Sequence, residues 1–262
     1  MTIDGLLRRE RAVIAAGLAA MAALAWLYVW QGAGMGMSAL AMTTLSLFPH
    51  LQPDVAGQMA DGWAIVISMW WVMMVAMMTP SASPLILIYA RVMRHHDRSR
   101  QGAYFGSLML LAGYLAVWLA FSVVAAAFQK ALQPAGFISD MMLWSRSAGL
   151  SASVLLAAGL YQFSPVKQAC LAQCRHPVQF LNAHWRPGKI GSFTLGIRHG
   201  AFCVGCCWAT MLLLFVGGVM NLIWIAALTL FVLAEKVLPT GAKIGRWSGG
   251  ILVIWAVATL VV

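Results

Sequence analysis

Long apolar runs alternate along this chain with short segments that hold most of the charged residues. A helix needs about 20 apolar residues to cross the ~30 Å hydrocarbon core of a bilayer. By this measure the pattern predicts an all-α, polytopic membrane bundle of about seven transmembrane helices, of which the fourth is short. The predicted spans are 12–30, 63–90, 104–128, 148–163, 198–216, 222–235 and 247–262.

The composition agrees with a membrane protein and makes the lipid bilayer its first expected partner. Hydrophobic residues make up 62% of the 262 residues and charged residues only 9%, whereas a soluble domain is about 25% charged. So few polar side chains leave too little polar surface to face water. No internal repeat and no separate soluble segment stands out, so we expect a single integral membrane domain over residues 1–262.

The basic residues predict the orientation of the chain. Every Lys and Arg except Lys130 and Arg146 falls in the N-terminal segment or in the second, fourth and sixth loops. The positive-inside rule therefore places the N-terminus in the cytoplasm and, after seven crossings, the C-terminus outside. This topology also explains the net charge of +10. Because the basic residues are not interleaved with aromatic residues on a soluble face, we expect no nucleic acid partner.

The second apolar run is too long for a simple span. It covers about 42 Å at 1.5 Å per residue, so the helix must tilt, protrude or break. Pro80 and Pro84 each remove a backbone donor and predict a break there, with the hydroxyls of Thr79, Ser81 and Ser83 bonding freed carbonyls. A broken helix can line a binding site near the middle of the membrane, but a simple kink is the favoured interpretation.

One face of the fifth predicted helix collects three of the five cysteines. If the helix begins near Arg198, then at 100° per residue four side chains fall within roughly 100° of one another. They are His199, Cys203, Cys206 and Cys207. Thiolates together with an imidazole suit soft metals such as Cu(I), Zn(II) or an iron centre. The alternative is that buried cysteines simply pack as small apolar residues.

The other two cysteines lie on a short helix before this face. Ser164 and Pro165 suit its N-terminus, and Pro177 ends it. Cys170 and Cys174 share one of its faces, with Cβ atoms ~6 Å apart, which is too far for a disulfide without unwinding. The loop lies on the same side of the membrane as the first face and can fold back onto it. Five is an odd number of cysteines, and a cytoplasmic position favours free thiols.

A short turn after residue 216 predicts that spans five and six form a tight antiparallel hairpin. Counting outward from this turn brings Glu235 level with Cys203. An acid at the membrane border is costly unless it is paired, and Lys236 is adjacent to it in sequence. Small residues that leave room for close helix approach are Gly196, Gly200 and Gly205.

Two further groups of residues are weaker candidates for metal binding. Met69, Met73 and Met77 form an i, i+4 row, and thioethers bind Cu(I), but methionine is also ordinary filler in apolar helices. His50, Asp54 and Asp61 fall in one predicted outside segment with generic spacing. We therefore favour core packing for the methionines and an ordinary loop for the second group.

Several motifs occur together in one known family. They are Met77-Met-Thr-Pro80, Tyr161-Gln-Phe-Ser-Pro-Val-Lys167, Cys170-Leu-Ala-Gln-Cys-Arg175, His184-Trp-Arg-Pro-Gly188, Arg198-His-Gly, Cys203-Val-Gly-Cys-Cys-Trp208 and Glu235-Lys236. Over residues 63–239 the chain resembles the bacterial multi-pass proteins labelled predicted metal-binding integral membrane proteins. The resemblance implies the bacterial inner membrane. It also implies metal ligands at Cys170, Cys174, His199, Cys203, Cys206, Cys207 and Glu235.

The sequence thus predicts a membrane protein with a soft-metal site near the cytoplasmic face, copper or zinc being favoured. It would handle or transport metal, or be a metal-containing subunit that works with another membrane protein or a small soluble subunit. Two alternatives remain open: a membrane thiol-disulfide oxidoreductase that uses Cys203 and Cys206, and a scaffold subunit whose cysteines only pack. No motif for phosphate or dinucleotide binding appears.

Overall fold

A computed structural model describes residues 3–36, 38–52, 62–96 and 100–262 of the chain. These residues form ten α-helices and one short 3₁₀ turn at Pro49–Leu51, with no named strand among them, so the predicted all-α class is confirmed for the described part. The helices are α1 (Ile3–Trp30), α2 (Trp63–His96), α3 (Arg100–Leu132), α4 (Ala148–Gln162), α5 (Pro165–Arg175), α6 (Pro177–His184), α7 (Gly188–Leu212), α8 (Leu214–Gly217), α9 (Leu222–Val237) and α10 (Gly241–Val261).

Each predicted span coincides with a helix, but the helices differ in how well they suit a membrane. Within the described residues, five are long and apolar enough to cross one: Arg11–Trp30, Trp63–Arg94, Gly102–Leu132, Gly188–Gly217 and Gly241–Val261. α4 and α5 together would be a sixth, bent by 65°. α9, with 16 residues, is about 24 Å long at 1.5 Å per residue. Membrane insertion and the number of seven spans stay predictions.

The predicted break in α2 is wrong, because the helix runs without interruption through Pro80 and Pro84. Local hydroxyl groups explain why. Pro84 has no N–H to bond the Pro80 carbonyl oxygen, and Ser83 Oγ donates to that oxygen at 2.8 Å instead. Thr79 Oγ1 likewise donates to the Val75 carbonyl at 2.6 Å. The carbonyl oxygen that Pro84 leaves free is thus bonded within the helix.

Glycines bring α3 and α7 together and so set the position of the cysteine face. A Cβ atom at Gly196 would overlap the carbonyl oxygen of Leu110, and one at Gly113 would overlap that of Phe193. Because neither glycine has a side chain, the two backbones touch, as small residues permit in membrane helix pairs. α3 is therefore the most extensive neighbour of α7.

The expected hairpin of spans five and six is looser than predicted. α9 follows α7 after the turn that contains α8, but it packs more on α2 and α10 than on α7. The reason is that the glycine face of α7 is already occupied by α3. α9 contacts α7 mainly at the C-terminal end of α9, where Lys236 contacts Cys203.

α5 folds back against α7, which the sequence left open. Ser164 caps α5 by accepting a hydrogen bond from the Val166 N–H, and Pro165 occupies its first turn. Gly205 of α7 makes the close approach possible, since a Cβ atom there would lie 2.9 Å from Cys170 Sγ. Tyr161, at the end of α4, donates to the Gly205 carbonyl at 2.5 Å. The bend between α4 and α5 is thus held onto α7.

Candidate metal centre

The centre of the candidate site is a contact between a lysine on α9 and a cysteine on α7. Lys236 Nζ lies 3.0 Å from Cys203 Sγ. Only 7% of Lys236 and 1% of Cys203 is exposed. The contact confirms that the end of α9 is level with Cys203. An ammonium group beside a sulfur stabilises negative charge on that sulfur.

Two more side chains complete what we call the Lys236–Cys203 site, which consists of Ser81, Tyr114, Cys203 and Lys236. Lys236 Nζ donates to Ser81 Oγ at 3.1 Å. The Tyr114 hydroxyl lies 3.1 Å from Cys203 Sγ and 3.2 Å from the Met78 carbonyl oxygen. The site therefore joins α2, α3, α7 and α9 inside the bundle.

The other α7 thiols lie beside Cys203. Cys206 Sγ and Cys207 Sγ donate to the Cys203 carbonyl oxygen at 3.1 and 2.9 Å. This follows from their positions three and four residues further along the helix, which place them on the same face. Their side chains also contact the Cys203 side chain, and both are buried.

The α5 cysteines approach the same face from outside. The Cys174 side chain lies near those of Cys203 and Cys206. Cys170 packs on Gly205, and its sulfur interacts with that of Cys206. Both α5 cysteines are half-buried, and all five cysteines are free thiols. The fold thus brings together sulfurs from two helices that are separated in the sequence.

His199 adds an imidazole with an unused nitrogen. Only 3% of the residue is exposed, and its Nδ1 has no hydrogen-bond partner among the residues that the structure describes. Its ring stacks on Tyr114, with centroids 5.7 Å apart, and lies 5.2 Å from the Phe180 ring. A buried nitrogen without a partner is costly, and a metal or a proton donor would satisfy it.

These contacts do not yet make a coordination site. Within the described part of the chain, no group of three or more His, Cys, Asp or Glu side chains is arranged to hold a metal ion. Cys203 instead faces Lys236, and its two α7 neighbours donate to a carbonyl. The donor chemistry fits a soft ion, because thiols and an unpartnered imidazole are its preferred ligands. The assignment of the seven predicted residues as ligands therefore stays a prediction.

Glu235 lies apart from the sulfurs in an ion pair of its own. Lys167 Nζ is 2.8 Å from Glu235 Oε1 and 2.9 Å from Oε2, and both residues are buried. Lys167 also donates to Gln162 Oε1. The partner of the acid is thus Lys167 rather than the adjacent Lys236. Both carboxylate oxygens are bonded, so the structure does not bring Glu235 into contact with the thiols.

Sequence reasoning missed the partners of Cys203. Tyr114 is one apolar-helix tyrosine among several, and nothing in the spacing distinguishes it. Lys236 did carry a signal, since a lysine at the end of an apolar helix must find a partner. From the sequence, Ser81 stands out only as a hydroxyl that can bond a backbone carbonyl of its own helix.

The methionine row and His50 fall outside this site. Met69, Met73 and Met77 are buried in the main hydrophobic core, which agrees with packing, and a copper path along them is untested. Burial lowers the pKa of His50 from its ordinary value, so the imidazole is neutral at pH 7. Asp54 and Asp61 lie outside the described residues.

A comparison with family models identifies a related family. The model described as PpoB2, copper chaperone, matches residues 67–259. This range includes all five cysteines, His199 and Lys236. No curated protein and no solved structure gives a significant match.

Proposed function

The chain belongs to the PpoB2 copper chaperone family, and from this premise we propose that it carries Cu(I) as cargo on the thiols around Cys203 and passes it to an acceptor. The observation that supports this most directly is the buried Cys203 sulfur, which lies near the side chains of three other cysteines. Cu(I) is a soft ion that favours thiolate ligands. A chaperone needs several sulfurs close together, because cargo moves by exchange of one ligand for another.

In this proposal the α7 cysteines hold the ion and the α5 cysteines receive it. Cys203, Cys206 and Cys207 are buried, whereas Cys170 and Cys174 are only half-buried. Cys174 lies near Cys203 and Cys206, so it is suited to take over the ion on its way out. His199 offers its unpartnered Nδ1 as a further ligand.

The proposed setting is a bacterial inner membrane. The long apolar helices and the distribution of basic residues support an N-terminus in the cytoplasm and a site near the cytoplasmic face. The acceptor would be another membrane protein or a small soluble subunit with a thiol site of its own. Zinc remains the competing cargo, since thiolates and imidazole also suit it.

The test is metal content under reducing conditions. The purified full chain is compared with the variant Cys203→Ser/Cys206→Ser/Cys207→Ser after exposure to Cu(I) and removal of loosely bound ion. Ala209→Ser is the matched control, because it adds a hydroxyl at a buried position of α7 without removing a thiol. We expect copper in the parent and the control and its loss from the triple variant. Equal copper in all three would reject the proposal.

A second candidate function is thiol-disulfide exchange, which the contact of Lys236 with Cys203 favours. Cys203 would attack a partner disulfide, and Cys206, three residues on, would resolve the mixed disulfide. Two electrons then pass to the partner, which leaves as a dithiol, and the Cys203–Cys206 disulfide that remains must be reduced by an external dithiol. Labelling of free thiols before and after a reductant distinguishes this function from copper carriage. A mixed redox state that responds to a quinone or a thiol partner would favour exchange.

A further inference from the structure

Lys236 is buried, and no described carboxylate pairs with it. Its Nζ contacts Cys203 Sγ at 3.0 Å and Ser81 Oγ at 3.1 Å. The adjacent Glu235 has both oxygens bonded to Lys167. Among the described residues no carboxylate lies within ion-pair distance of Lys236. A buried ammonium is costly unless negative charge lies beside it, and the sulfur is the group in position to provide that charge.

The charge of a loaded site can be counted. Cu(I) carries one positive charge and two thiolates carry two negative charges, so the complex has one net negative charge. In a buried site an uncompensated charge is expensive. One ammonium group at the sulfur makes the loaded site neutral. A divalent ion held by two thiolates is already neutral and has no such need.

We propose that Lys236 is the counter-cation of the loaded site and that it sets the preference of the site for a monovalent ion held by two thiolates. The inference rests on the proposed copper function and adds a residue that determines specificity without binding the ion itself. Cys203 is one of the two thiolates, because Lys236 contacts its sulfur.

A purely structural role for Lys236 would predict something different. In that case the lysine matters because it ties α9 to α2 through Ser81. Removing the serine hydroxyl would then weaken the site as much as removing the charge would. Lys236→Met removes the ammonium but keeps the length of the side chain, Lys236→Arg keeps a charge, and Ser81→Ala keeps Lys236 and removes its second partner.

The experiment measures affinities of the purified full chain and these three variants for Cu(I), Ag(I) and Zn(II). A chelator of known affinity serves as competitor, and the buffer is reducing. We expect Lys236→Met to lose about tenfold or more in affinity for Cu(I) and Ag(I), the size expected when a hydrogen bond to a charged group is removed. Lys236→Arg and Ser81→Ala should stay within about threefold of the parent. The Zn(II) affinity of Lys236→Met should change by less than its Cu(I) affinity.

Three results would overturn the inference: Cu(I) affinity unchanged in Lys236→Met, an equal loss for Zn(II), or a loss in Ser81→Ala as large as that in Lys236→Met. If Lys236→Met does not fold, Lys236→Gln replaces it and is judged by the same three results, because its amide still reaches toward Ser81. A parent that binds no more Cu(I) than Cys203→Ser/Cys206→Ser/Cys207→Ser rejects the copper function itself. Failure of the inference alone leaves that difference intact.

Discussion

Lys167 Nζ lies 2.8 Å from Glu235 Oε1, and this ion pair leaves the next residue, Lys236, facing Cys203. Successive side chains on a helix point about 100° apart. Glu235 therefore faces α5, while Lys236 faces α7 and α2. Each buried lysine has its own partner, a carboxylate for Lys167 and a sulfur for Lys236. Two adjacent residues of α9 therefore contact α5 and the Lys236–Cys203 site.

Removing one member of the ion pair should destabilise the protein strongly. Lys167→Met leaves the buried Glu235 carboxylate without its cation, and Glu235→Gln leaves the buried Lys167 ammonium without its counter-charge. Loss of one partner of a buried pair costs about 3–5 kcal/mol. The free energy of unfolding, measured by denaturant titration of the protein in micelles, checks this. The double variant Lys167→Met/Glu235→Gln has no buried charge left and should recover part of the loss. Single variants as stable as the parent would contradict the ion pair.

The glycine contact between α3 and α7 predicts a sharp difference between two Gly→Ala variants. A Cβ atom at Gly196 would overlap the Leu110 carbonyl oxygen, whereas Gly250 on α10 has no neighbouring atom within 4 Å. Gly196→Ala should cost about 1–3 kcal/mol, because the helices must separate. Gly250→Ala should be neutral or slightly stabilising, because alanine favours a helix over glycine. Equal unfolding free energies for the two variants would mean that the helices are not in contact there.

Much of the helix layout was predictable from the apolar runs, because most runs are long and most charged residues lie between them. The predicted break in α2 failed for a local reason. Proline removes a donor, but whether the helix breaks depends on whether another donor is at hand. Ser83 is in position to supply one to Pro80. A sequence shows that the hydroxyls are present, but not which carbonyl each one bonds.

The partners in the site were harder to predict, because they depend on which apolar faces meet. Lys167 and Glu235 are 68 residues apart in sequence, and Tyr114 and Cys203 are 89 residues apart. Many helix faces in such a bundle are equally apolar, so the apolar pattern does not rank the possible pairs. Small residues narrow the choice, as Gly196 does for α3 and Gly205 does for α5. Lys236 falls just after the predicted sixth span, so its burial and its contact with Cys203 depend on how α9 packs.

The hydroxyl of Ser83 should matter only while Pro84 is present. Ser83→Ala leaves the Pro80 carbonyl oxygen without a donor, and a hydrogen bond between groups within the membrane contributes about 0.6 kcal/mol on average and up to about 1.7. In the Pro84→Ala background the N–H of residue 84 can bond the same oxygen, so the serine becomes redundant. A double-mutant cycle of unfolding free energies measures the coupling. The same cost in both backgrounds would contradict a specific role of Ser83 at the proline.

The methionine row should prove to be packing. Met73 and Met77 are buried in the core beside other apolar residues, and Met→Leu conserves volume, so the cost should stay below about 1.5 kcal/mol. We expect Met73→Leu/Met77→Leu to keep the copper content of the parent when both are assayed as described for the triple cysteine variant. A loss of copper without a matching loss of stability would instead assign the thioethers to the copper path.

The orientation of the chain can be tested by fusing alkaline phosphatase at two positions. With the N-terminus in the cytoplasm and seven crossings, a fusion after Val262 lies outside. A chain that ends at residue 240 lacks α10 and should place the same enzyme in the cytoplasm.

Alkaline phosphatase needs disulfides that form only in an oxidising compartment. The enzyme should therefore be active after residue 262 and inactive after residue 240, at equal protein levels. If α9, with its 16 residues, does not cross, or if α4 and α5 return to the side they entered from, the two activities should be exchanged.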